Sequence, residues 1–217
     1  MIKRHKCKTM NVKNEIIEAY VENKKIFAIV IGVFILGIII AAIISNDIAD
    51  FLLPLLKKSL GGDDISINAF SIMYHNEFSA LTIVAGSVIF GIYPILASFA
   101  NGFAIGFLGG YIIKSPQTLA LFLTLIVPHG IFEIPALLSD CVSGILLFLF
   151  IYRVLKDKIN GMAIKEAYYN NQKTIKHMVI LLVVSLLLFM IAALIEGYIT
   201  PYLGNIVSAQ LGNPNLL

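Results

Sequence analysis

The sequence predicts an all-α, polytopic helical membrane protein, and three observations carry that prediction. The first is composition: of 217 residues, 59% are hydrophobic and 13% charged, far from the balance of a soluble domain. The second is a set of long apolar runs, beginning with the uncharged Ile26–Ile44, long enough to cross about 30 Å of hydrocarbon. The third is where the positive charge lies. Lys3, Arg4, Lys6, Lys8, Lys13, Lys24 and Lys25 precede the first run, and Arg153, Lys156, Lys158, Lys165, Lys173 and Lys176 precede the last. The bias of Lys and Arg toward the inner face puts both groups in the cytoplasm. Glu15, Glu18 and Glu22 interrupt the basic head and an anchor follows it, so no nucleic-acid partner is expected. The two cysteines, Cys7 and Cys141, fall in unlike surroundings, one basic and one apolar, which argues against a disulfide.

Taken in order, residues 1–25 form a basic cytoplasmic segment whose Val12, Ile16, Ala19 and Tyr20 suit a short amphipathic helix at the membrane surface. The run from Ile26 to Ile44 starts too late and is too long for a cleaved signal peptide, and reads as a retained first span. Residues 45–76 form an external loop, with Phe51–Leu56 lying along the outer interface and a turn at Gly61-Gly62-Asp63-Asp64. A second span covers 78–100, kinked by Pro94. Asn101-Gly102 then turns the chain and caps a short helix over 103–113. That helix carries Gly102, Gly106 and Gly110 at four-residue spacing, the signature of a closely packed interface within the fold or between protomers. The run over 117–152 would make one helix of about 50 Å, longer than a bilayer needs, so a broken or re-entrant segment is expected around 117–140. Residues 153–177 read as a cytoplasmic amphipathic segment, 178–199 as the last span, and 204–217 as an external, weakly ordered tail. The count is about five crossings in one transmembrane domain over 26–203, with the N-terminus inside and the C-terminus outside.

Within the long run lies Pro128-His129-Gly130-Ile131-Phe132-Glu133-Ile134-Pro135-Ala136. A charged group at bilayer depth costs roughly 2.5–3.5 kcal/mol on insertion scales, so it has a partner or a purpose. His129 and Glu133 are four apart and share a helix face. Each proline removes a backbone donor and frees a carbonyl, at Thr124 and Ile131. His75 and Asn76 open one span and Glu196 closes another, so all five side chains form a candidate intramembrane polar or ion site on the outer half. Imidazole nitrogen and carboxylate oxygen suit a divalent metal such as zinc, with His129 and Glu133 as its candidate ligands. Asp140 either joins this pocket or pairs with Ser139, and His5 and His177 are expected to be solvated.

His75-Asn76 before Ser79-Ala80-Leu81, Asn101-Gly102-Phe103-x-x-Gly106, His129-Gly130-x-x-Glu133-x-Pro135-Ala136 and Glu196-x-x-x-Thr200-Pro201 together resemble the stage II sporulation protein M family. The resemblance covers roughly 26–203. It implies a polytopic membrane protein acting as a platform. In endospore formers the namesake holds the sporulation proteins D and P, which remodel septal peptidoglycan. There is no HExxH, GxSxG or P-loop in the chain, so no catalytic residue is assigned. Three functions follow as expectations. One is a non-enzymatic scaffold in the cell membrane, with the bilayer and other membrane or envelope proteins as partners. Another is an ion or proton transporter using the His/Glu site, and the third is an intramembrane metal-dependent hydrolase. Self-association through the glycine-rich helix is a further expectation.

Overall fold

The computed structural model describes residues 11–59, 68–89 and 91–210. Among these the regular structure is helical throughout, with no strand. Helix α1 (Val12–Glu22) is followed by α2 (Lys24–Ile44), α3 (Ala49–Ser59), α4 (Ala69–Ile89), α5 (Tyr93–Ile112) and α6 (Pro116–Ile159). The last span is compound: α7 (Ile164–Leu194) passes through a π-helical turn (Ile195–Ile199) into α8 (Thr200–Gln210). Four helices are long and apolar enough to cross a membrane: Lys24–Ile44, Tyr93–Ile112, Pro116–Ile159 and Ile164–Gln210. Beside them α4 has the length of a span, 21 residues, but carries Ser71, His75, Asn76 and Glu77 in its first half. The basic residues at 1–10, with His5 and Cys7, the turn at 61–64 and the tail after 210 lie outside the described residues.

Two helix pairs frame the bundle. In the first, α2 and α5 run parallel, because Ser98 donates its hydroxyl to the Val30 carbonyl at 3.0 Å while Gly102, Gly106 and Gly110 lie on the backbone of Phe34, Ile38 and Ala42 in turn. A Cβ at any of these glycines would collide with main chain, so the small-residue face allows the backbones to approach closely. That face is therefore occupied within the chain. In the second pair, α6 and α7 run antiparallel, joined by a turn in which Gly161 takes φ 92°. Ser143 donates to the Met178 carbonyl at 3.0 Å and Arg153 to the Thr174 hydroxyl at 3.1 Å. The pairs meet where Gly144 of α6 touches Pro94 of α5 and Ser87 of α4. One core cluster runs through Val30, Phe34, Ile83, Leu137, Val142, Leu181 and Phe189.

Several boundaries differ from those read in the sequence. The expected break around 117–140 is absent: α6 is one helix of 44 residues through Pro128 and Pro135, started by a Ser115–Thr118 capping box. The reason is a comparison of losses. Continuing costs one missing donor per proline, whereas breaking the helix in hydrocarbon would orphan up to four donors and four acceptors at the break. The surplus length forms the charged Arg153–Ile159 end, which stays paired with α7 through Arg153–Thr174 and Asp157–Asn171. Accordingly 153–177 is the tip of the α6–α7 hairpin and not a separate helix. The break expected at Asn101-Gly102 lies earlier, between α4 and α5, and Pro94 sits in the first turn of α5 instead of kinking a span. There its missing donor is one that a helix start leaves free anyway. α4 begins at Ala69, and residues 204–210, read as tail, belong to α8.

Candidate functional site

His129 and Glu133 sit one turn apart on the inward face of α6, with Nε2 of His129 3.6 Å from Oε2 of Glu133. His129 is buried at 7% exposure, and its Nδ1 faces the hydroxyl of Thr200, 3.4 Å away and itself buried. That contact leaves Nε2 directed at the carboxylate. The third donor comes from the π-helical turn, whose extra residue shifts the register between α7 and α8. Glu196 lies in that turn, and one ligand atom each from His129, Glu133 and Glu196 fall within 4.8 Å of one another. Gly197 fixes the turn against the start of α4: a Cβ there would sit 2.6 Å from Ala69 Cα. The absent side chain is thus what brings α4 alongside the last span.

A cavity of about 560 Å³ opens beside the three donors, with Glu133 and Glu196 on its wall together with His75, Asn76 and Asn101. Leu137, Ile83 and Phe189 complete it on the side facing the basic end. Of the five residues singled out in the sequence, three converge and two, His75 and Asn76, line the adjoining space. His75 is exposed, whereas the Asn76 side-chain nitrogen is buried with no hydrogen-bond partner among the described residues, a donor available to whatever enters. Thr200 and Asn101 were not singled out for this site. For Thr200 the available signal was its spacing of four from Glu196, one turn on; Asn101 gave none, since it reads locally as a turn residue.

One nitrogen and two carboxylate oxygens suit a divalent transition metal with an open fourth position. A second triad, Glu18, Glu22 and His177, meets the same distance condition, but a cation already stands there. Lys173 Nζ lies 2.6 Å from both Glu18 Oε1 and Glu22 Oε1, and Lys176 pairs with Glu15. This is a clamp holding α1 to α7, and the Lys173 ammonium beside Glu18 pulls its carboxyl below the ordinary value. His177, read as solvated, is instead buried at 4% and bonded to the Asn23 amide at 3.1 Å, because α1 folds back over it. Asp140 meets neither expectation: Ser139 bonds Tyr20 at 2.7 Å and the Pro135 carbonyl at 2.7 Å, and both Asp140 oxygens lack partners among the described residues.

Residues 29–201 match the family described as Stage II sporulation protein M. The chain belongs to that family. It is similar to two uncharacterized proteins of Methanocaldococcus jannaschii. One is 36% identical over 138 residues, 64% of this chain and 74% of the relative. The other is 27% identical over 197 residues, 86% of each. No solved structure matches the chain.

Proposed function

We propose that this stage II sporulation protein M family member is a non-enzymatic, metal-binding platform in the cell membrane, taking one divalent transition-metal ion between His129, Glu133 and Glu196. The observation that carries the reading is the meeting of three donors from two helices within 4.8 Å. A pair that only pinned α6 would need no second carboxylate, and two carboxylates side by side repel unless a proton or cation lies between them. The ion would tie α6 to the π-helical turn and leave a coordination position facing the cavity. Both acids are engaged as ligands, which leaves no cavity carboxylate free as the base that metal-assisted hydrolysis calls for. The positive-inside bias supports placing the basic end in the cytoplasm, so that the cavity lies on the outer half.

The test is equilibrium dialysis of the purified protein against Zn²⁺, with metal analysis. Wild type is expected to retain one ion, and the triple variant H129A/E133Q/E196Q none; equal retention by both would refute the site. The platform part is supported by the α6–α7 hairpin, whose tip exposes Ile159 at 84% and Ile164 at 65%, apolar surface of the kind partners cover. Ile159→Asp with Ile164→Asp should abolish crosslinking to membrane neighbours in cells while leaving metal retention unchanged. Identical crosslinking patterns would count against it.

A further inference from the structure

Asp140 is used by neither part of that reading. It follows Glu133 by seven residues on α6, so the two carboxylates share one face about 10 Å apart along the axis. Asp140 is 0% exposed, and neither of its oxygens has a hydrogen-bond partner among the described residues. The hydroxyls nearest in sequence are engaged elsewhere, Ser139 with Tyr20 and Ser143 with the Met178 carbonyl. The packed helices bring no counter-charge to this depth. α5 contains no charged residue, α2 none after Lys25, and α7 none between Lys176 and its end at Leu194. The titratable groups in line are Glu133, Glu196, His75 and Glu77 toward the cavity end, the Cys141 thiol beside Asp140, and Tyr20 and His177 toward the basic end. An ionised carboxylate without a partner in such surroundings is costly enough that the acid keeps its proton.

What separates Asp140 from the cavity is thin. Leu137, 7% exposed, lines the cavity together with Ile83 and Phe189, and lies one turn of α6 before Asp140. Toward the basic end a second cavity, of about 840 Å³, is lined by Lys173, Lys176 and His177. A single buried acid thus stands between two polar spaces at opposite ends of the bundle, behind an apolar plug about one helical turn thick.

We infer that Asp140 is an intramembrane proton-binding site in series with the outer cavity, and that the protein passes protons between the cavity and the basic end through it. When the plug parts, the Asp140 carboxyl releases its proton toward the Tyr20–Ser139 contact. The carboxylate then takes a proton from cavity water, restoring the neutral acid, so each cycle carries one proton and consumes nothing. The proton-binding group is distinct from the metal site, because Asp140 is not among the three donors.

The experiment reconstitutes the full chain into liposomes holding a pH-sensitive dye, with a potassium diffusion potential imposed. Wild type should dissipate the gradient several-fold faster than protein-free vesicles. Asp140→Asn, checked for unchanged melting temperature, should return to the protein-free rate, and Leu137→Ala should exceed wild type. Treatment with dicyclohexylcarbodiimide, which modifies protonated buried carboxyls, should add its mass to the Asp140 peptide and slow the flux. Wild-type flux equal to that of D140N overturns the proposal. Should D140N fail to fold, a rate for L137A no higher than wild type overturns it equally. Zn²⁺ retention by D140N equal to wild type is expected throughout, so loss of flux and loss of the metal site are read separately.

Discussion

The hydroxyl of Thr200 does for His129 what a carboxylate or carbonyl does for many metal-bound imidazoles: it meets the ring nitrogen that the ion would not use. Thr200→Val removes that contact at nearly constant volume, and Zn²⁺ affinity should fall about 10–100-fold with the fold intact, measured by competition against a metal-sensitive dye. At the basic end the relevant residue is Glu18. Lys173 holds its folded-state carboxyl below the ordinary 4.5, so its contribution is present above that value and is lost as the pH falls through the lowered one. Hydrogen-exchange protection of α1 should therefore be level from neutrality to about pH 5 and decline in acid below it. The Glu18→Gln variant should show a weaker dependence, and added salt should lower protection at every pH. At this scale the sequence was legible where spacing alone sets geometry. His129 and Glu133 share a face for any helix, which is why that pair could be named. Glu196 joins them only through a π-helical turn, and His177 is buried only because a helix more than 150 residues earlier folds over it. Neither relation leaves a local trace.

Among the elements, the contact between α2 and α5 is the one most dependent on particular residues. Gly106 faces the Ile38 backbone so closely that a methyl group would force main chain apart, whereas Gly32 on the same α2 has nothing within 4 Å. Gly106→Ala should destabilise by about 1–3 kcal/mol through overpacking against atoms that cannot rotate away. Gly32→Ala should stabilise by about 0.5–1 kcal/mol through helix propensity alone. Melting curves in one detergent would compare the two, and a Gly106→Ala protein as stable as wild type would mean that α2 and α5 separate in solution. The four-residue glycine spacing made this interface legible, since it implies close approach whatever the partner. The partner itself was not, because parallel pairing of α2 with α5 depends on α4 returning the chain between them. Element ends were least legible where proline was involved. Pro94, Pro128 and Pro135 have the same local chemistry, yet the first stands at a helix start and the other two lie inside a helix. The difference is set by how many backbone groups a break would strand in apolar surroundings.

For the molecule as a whole, the directions of the helices fix how many times the chain changes sides. α5 is parallel to α2, α6 antiparallel to α5, and α7 antiparallel to α6. A chain leaving α2 at one end can enter α5 at the other only if α4 returns it. α4 packs beside α6 with Ile83 and Ser87 next to Gly144, while its first residue, Ala69, meets Gly197; that puts the start of α4 at the same end as the π-helical turn. It therefore runs the length of the bundle beside the four candidate spans, with His75 and Asn76 lining the cavity. With α4 counted as a span beside the four candidates, five crossings are expected, an odd number that would put the ends of the described chain on opposite sides. Single cysteines placed at Asn11, Gly91 and Asn160, in a chain with Cys7 and Cys141 replaced by alanine, should all be blocked by an impermeant maleimide only after the membrane is opened on the cytoplasmic side. Cysteines at Asn46, Ser115 and Gln210 should react in intact cells. Reaction of Gly91→Cys in intact cells together with Asn46→Cys would place α4 on the surface and leave four crossings. The cavity would then lose the wall that carries His75 and Asn76, and the outer polar site would reduce to the three donors on α6 and the last span.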